Sequence, residues 1–136
     1  MEIYREMNIS AEQLFTTITR SVLYDIKTQT GKSPSTEQMI GFEYIKTFSK
    51  NSRANIKIEE FRINEAYHYR TQTNKNDFLV KYDILPLSKD KCKIHYTEEV
   101  ESIGQMQKLN DALVGTLLNY FRKKRLMQML QSIEQT

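Results

Sequence analysis

The stretch IGQMQKLNDALVGTLLNYFRKKRLMQMLQSI, residues 103–133, decides how the rest of the chain is read. Its apolar residues recur every three or four positions, which is the period of an amphipathic helix. Met106, Leu109, Leu113, Val114, Leu117, Tyr120 and Phe121 form one stripe. Leu126, Met129, Leu130 and Ile133 form a second, on nearly the opposite side. The basic run Arg122-Lys123-Lys124-Arg125 lies between them. Either the helix kinks near residues 122–125, or its last turns leave whatever the first stripe packs on. Gly115 lies off the first stripe and costs the helix about 1 kcal/mol relative to alanine.

Ahead of this helix the pattern is almost entirely β. Phe42, Tyr44, Lys46 and Phe48 share a face, followed by a turn at Lys50-Asn51-Ser52. Ala54, Ile56 and Ile58 alternate, whereas Phe61 and Ile63 fall on the other phase, so a bulge is expected near Glu59-Glu60. After a turn at Asn64-Glu65 come Tyr67, Tyr69, Thr71 and Thr73, then a loop over residues 74–77. Phe78, Val80, Tyr82 and Ile84 follow, ended by Pro86, which cannot donate to a central ladder. The last inward set is Cys92, Ile94, Tyr96, Glu98 and Val100. Short loops between successive strands make an antiparallel meander with one buried face.

At the start, Ile3, Arg5, Met7 and Ile9 alternate as a strand. Ser10 is then a good N-cap, with Gln13 three residues on as its capping-box partner. Leu14, Phe15, Ile18, Val22 and Ile26 share one side of the helix that follows, and Gly31 is its stop. Residues 36–39 read as one further helical turn. The predicted order is β-α-β5-α. It describes an α+β domain in which a curved six-stranded antiparallel sheet wraps on a long C-terminal helix.

A length of 136 residues, 39% hydrophobic and 27% charged, fits a single globular domain over residues 1–136. No apolar run is long enough to span a membrane, and the N-terminus lacks the pattern of a secretion signal. Cys92 is the one cysteine, so an internal disulfide is excluded and a cytoplasmic location is expected. The net charge of +3 is mild. The basic run reads as a solvated helix face, and no nucleic-acid partner is expected.

The opening Asn8-Ile9-Ser10-Ala11-Glu12-Gln13-Leu14-Phe15, together with the element order, resembles the START-like superfamily, also called helix-grip or SRPBCC. Three segments are similar to recurrent stretches of a small bacterial family of domains of unknown function within it: Ser21-Val22-Leu23-Tyr24-Asp25-Ile26, Thr47-Phe48-Ser49-Lys50-Asn51-Ser52-Arg53 and Gln107-Lys108-Leu109-Asn110-Asp111. The resemblance implies a helix-grip fold and a link to sugar uptake, because genes of that family often lie beside cellobiose-type phosphotransferase genes. It implies no agreed activity.

Little in the chain reads as catalytic. His68 and His95 fall on the outward phase, so both are expected in solvent. Cys92 shares its face with no histidine that could activate it. Glycines 31, 41, 104 and 115 are scattered, so no phosphate loop is formed. No metal or cofactor is expected. The informative set is inward and polar: Tyr44, Tyr67, Tyr69, Tyr82 and Tyr96, with Arg5, Lys46 and Glu98. Tyrosine combines an apolar body with one hydrogen-bonding tip, so these residues either line a pocket or fill a core. An interior Glu98 requires a partner, with Arg5 or Lys46 expected.

The leading expectation is a non-enzymatic binding module for a small, mainly apolar ligand. Tyr67, Tyr69, Tyr82, Tyr96 and Glu98 line its site from the sheet, and Leu113 and Leu117 from the helix. A second expectation is an interaction or regulatory role, in its simplest form a homodimer through Leu126, Met129, Leu130 and Ile133. A third is a cyclase- or hydrolase-like enzyme using Tyr96 with Glu98.

Overall fold

The first strand, β1 (Glu2–Met7), buries Ile3 and Met7 and turns Glu2, Tyr4 and Glu6 outward, as its alternation requires. The chain then changes period at Ser10. Its hydroxyl accepts the Gln13 N–H at 3.0 Å, which satisfies one of the free donors at the start of α1 (Ala11–Thr30). Ala11, Leu14, Phe15, Ile18 and Ile26 form the buried stripe of this helix. Gly31 ends it with φ +76°, a left-handed conformation that suits a residue without Cβ, and its N–H returns to the Lys27 carbonyl at 2.8 Å. A single 3-10 turn (Thr36–Gln38) follows, and Met39 plugs the core behind it.

The computed structural model describes residues 1–102 and 122–135. Five further strands run as a meander: β2 (Glu43–Ser49), β3 (Ser52–Arg62), β4 (Ala66–Gln72), β5 (Asn76–Ser88) and β6 (Lys91–Ser102). The sheet order is β1-β6-β5-β4-β3-β2, with every pair antiparallel. Residues 122–134 are helical and are called α2. The first stripe of the closing helix, with Leu113 and Leu117, and Gly115 lie outside the described residues.

Local rules account for most of the register. The expected bulge is present: Ile58 faces Tyr69 and Glu60 faces His68, leaving Glu59 as the extra residue. That one-residue slip turns Phe61 to the same face as Ile58, three positions earlier. Asn64 takes φ +64° in the β3–β4 turn, which asparagine tolerates better than most side chains.

Two strand limits differ from the sequence reading. β5 starts at Asn76 because the β4–β5 turn is held by Thr73, whose hydroxyl accepts the Lys75 and Asn76 N–H groups. β5 also continues through Pro86 to Ser88. The Ile84 N–H points to Glu65 on the β4 side, and Pro86, two residues on, has the same orientation. There β4 has already turned away, so no ladder bond is lost.

The buried cluster fills the inward face of the sheet beneath α1 and α2. The outward face is polar and braced by cross-strand pairs. Arg70 donates to Glu59 and Asp77, each at 2.7 Å, and Lys81 lies 3.6 Å from Glu99. Both histidines sit on this outward face, as their phase requires, but neither is simply solvated. His68 meets Asp83 at 2.8 Å, and His95 meets Glu2 at 2.6 Å while stacking on Tyr4.

The second stripe of the closing helix corrects an expectation. Leu126, Leu130 and Ile133 join the buried cluster, and of the four only Met129, 40% exposed, reaches the surface. The surface on which a homodimer through these residues was expected is therefore turned inward. That surface is expected only for a straight helix whose last turns leave the sheet, one of the two alternatives the stripes allow. α2 instead packs them on the sheet.

Candidate functional site

The inward face of β2–β5, one side of α1 and the last turns of α2 bound a cavity of about 560 Å³. Its floor is a tyrosine row created by register. Tyr67 faces Tyr82 across β4–β5, and Tyr69 follows Tyr67 on the same face. The Tyr67 ring lies 6.1 Å from that of Tyr82 at 10° and 5.3 Å from that of Tyr69 at 29°. Aliphatic walls come from Ile18 and Val22 of α1, Ile56 of β3, and Met129 and Ile133 of α2. Thr17, Ser21 and Thr71 add hydroxyls.

The cavity has one charged corner. Asp25 projects from α1 and accepts the Tyr44 hydroxyl on Oδ2 at 2.7 Å and the Lys46 ammonium on Oδ1 at 3.1 Å. Both carboxylate oxygens are thereby occupied. Next to it, the Gln29 side chain accepts the Thr47 N–H on the free edge of β2, at 3.0 Å. The sequence reading placed Tyr44 and Lys46 inward but missed Asp25. The signal was present, since Ile18, Val22 and Asp25 are spaced i, i+4, i+7 and so share one helical face.

Burial shapes the chemistry of the row. It pushes the Tyr69 hydroxyl up to about 12, with Glu98 and Asp25 adding to the effect. The same cause raises Tyr67 and Tyr82, and raises Tyr44 together with its bond to Asp25. These phenols are therefore neutral donors and acceptors at physiological pH, not phenolate bases. Among the described residues the Tyr67, Tyr69 and Tyr82 hydroxyls make no hydrogen bond.

Tyr96 and Glu98, expected in the same lining, stand next to the row and not in the described lining: the Tyr96 ring meets that of Tyr82 edge-on at 5.0 Å. The Tyr96 hydroxyl donates to Glu98 Oε2 at 2.9 Å, and Arg122 of α2 donates to Glu98 Oε1 at 2.5 Å while covering the Phe78 ring. The pair thus forms a strut from β6 to α2. A second strut joins Arg5 to Glu134 at 3.2 Å. The partner expected for Glu98 is corrected accordingly, and geometry explains why. Arg5 faces Ile94, four residues or about 13 Å along β6 from Glu98, and Lys46 lies four strands or about 19 Å across the sheet.

A larger hollow of about 720 Å³ runs along Tyr4, Leu85, Lys93 and His95 and the β3–β4 turn. Its polar side chains are largely engaged with one another: His95 with Glu2, Lys93 over the Tyr4 ring, and Arg62 with Glu65. The inner cavity, with its unpaired hydroxyls, is the better candidate site.

A six-stranded antiparallel sheet, a helix crossing between its first two strands and a closing helix on its inward face define a helix-grip fold. Solved structures of low sequence identity share that arrangement. The chain belongs to the family described as domain of unknown function (DUF3284), whose model matches residues 1–119. Norcoclaurine synthase from Thalictrum flavum, solved with dopamine and hydroxybenzaldehyde, is 13% identical with a TM-score of 0.63, covering 99% of this chain and 83% of that one. A conserved protein from Geobacillus kaustophilus is 10% identical with a TM-score of 0.58, covering 98% and 94%. A START superfamily protein from Mycobacterium smegmatis is 14% identical with a TM-score of 0.51, covering 95% and 97%. At these identities the likeness speaks for the fold. No curated protein matches the chain significantly.

Proposed function

We propose that the protein is a non-enzymatic binding module for a small, mainly apolar ligand held between the sheet and the C-terminal helix. The observation that carries this reading is the inner cavity itself, about 560 Å³ with aliphatic walls. That volume suits a compact organic ligand. Tyr67, Tyr69 and Tyr82 would contact it from the floor, while Tyr96 and Glu98 serve by holding α2 in place. Leu113 and Leu117 are assigned by this reading to the helix side.

The remaining chemistry supports binding over catalysis. Both histidines lie on the opposite face of the sheet, and the Cys92 thiol is buried and pushed up by that burial. Arg122, one of the four basic residues in the run, is spent on Glu98, which favours a small molecule over a nucleic acid as partner. A cytoplasmic location goes with the reading, and so does the link to sugar uptake implied by the family resemblance. A deletion strain growing on cellobiose as its parent does would remove that link.

Native mass spectrometry of protein purified from cells tests the binding role directly. The expected result is a one-to-one adduct, with saturable displacement of a polarity-sensitive dye by candidate ligands. Protein that carries no adduct and takes up no dye overturns it.

A further inference from the structure

Resting on the cavity reading above, we infer that the ligand is uncharged and carries hydroxyl or carbonyl oxygens along one edge, as an alcohol, phenol or ketone does, in contrast to a carboxylate or an amine. Two independent features of the lining point there.

The first is the floor. Tyr67 is 4% exposed, and its hydroxyl has no partner among the described residues. A tyrosine on an inward position carries its hydroxyl at the end farthest from the strand, so the row presents its tips to the cavity. Among the described residues Thr19 Oγ1 is the side-chain atom that is both sealed and unpaired, so the Tyr67 oxygen is reachable from the cavity, where a ligand oxygen can pair with it. Because a phenol both donates and accepts, the row matches a hydroxyl or a carbonyl equally well. Tyr69 and Tyr82 continue the same row on either side.

The second is the charge balance. Among the described residues Lys46 and Asp25 are the charged side chains of the lining, and each is the other's counter-ion. Tyr44 takes the remaining carboxylate oxygen. Among the described residues a ligand charge of either sign would find no free counter-ion, which is unfavourable at a site walled by Ile18, Ile56 and Ile133. The pair therefore acts as a filter against charged ligands, and the hydroxyl row selects for oxygen.

Four ring-matched fluorescent probes test this at neutral pH on the full chain: 2-naphthol, naphthalene, 2-naphthoate and 2-naphthylmethylammonium. The native protein should bind 2-naphthol about three- to tenfold tighter than naphthalene, the worth of one neutral hydrogen bond. It should bind 2-naphthol more than about tenfold tighter than either ion. Tyr67→Phe should shrink the ratio of naphthol to naphthalene affinity toward one. Asp25→Asn leaves Lys46 without its anion and should raise naphthoate affinity about tenfold, a gain that a damaged fold does not produce. Naphthoate or naphthalene binding as tightly as 2-naphthol overturns the inference and leaves the cavity reading standing. No saturable binding of any probe overturns both.

Discussion

Replacing Leu130 with alanine tests whether the end of the chain is core or contact surface. Leu130 is fully buried in the cluster that α2 shares with the sheet. Truncation to alanine removes three carbons' worth of apolar burial, about 2.4 kcal/mol at 0.8 kcal/mol each. The void left behind raises the total to about 3 kcal/mol. For a chain of this size that lowers Tm by roughly 10 °C. Thermal and urea unfolding followed by circular dichroism measure the loss, with Met129→Ala as the internal control. Met129 is 40% exposed, so its truncation should cost less than about 1 kcal/mol. The midpoint should not depend on protein concentration, because the lost contacts are within one chain. A Leu130→Ala protein that unfolds with its parent but sediments at a lower mass would refute the packing described and return the stripe to an intermolecular role.

Two further outcomes follow from the struts and the tyrosine row. A double-mutant cycle with Glu98→Gln and Arg122→Met should give a coupling of about 1 kcal/mol, modest because Arg122 is 37% exposed; a coupling near zero would remove the β6–α2 strut as a stabilising contact. Alkali should destabilise the fold. Unfolded tyrosine ionises near pH 10.0, whereas folded Tyr69 holds its proton to about 12, so above pH 10 the unfolded state binds fewer protons and stability falls with rising pH across that window. Unfolding titrations at pH 8, 10 and 11 measure this, and equal stability at all three would contradict the buried row.

Features governed by neighbours in sequence were legible. Ser10 and Gly31 mark the limits of α1 because capping and left-handed φ are decided within a few residues. The bulge at Glu59 was visible because Ile58 and Phe61 are both apolar and three apart, which no regular strand can bury on one face. The tyrosine row followed from alternation. Features that depend on how elements meet were not legible. The partner of Glu98 is set by where α2 crosses the sheet, and no spacing in the sequence encodes that crossing. Asp25 was passed over because a charged residue on a helix reads as solvated unless the strand opposite is known to offer a tyrosine and a lysine. The two stripes allow either a kink or an exposed end, and only the position of the sheet decides that Leu126, Leu130 and Ile133 turn inward.

The placement of β1 beside β6 carries a cost in time. Glu2 faces Thr97, 95 positions away, whereas the β3–β4 hairpin closes from Arg62 to Ala66. Closing the longer span costs about 3 kcal/mol more in chain entropy before any contact forms. During synthesis the first strand leaves the ribosome well before its partner strand, about ninety residues later in the chain, is made. The hairpins can zip as they emerge, but Ile3 and Met7 lack their strand partner until β6 arrives. That interval, not the finished sheet, is when this chain most exposes apolar surface to other molecules.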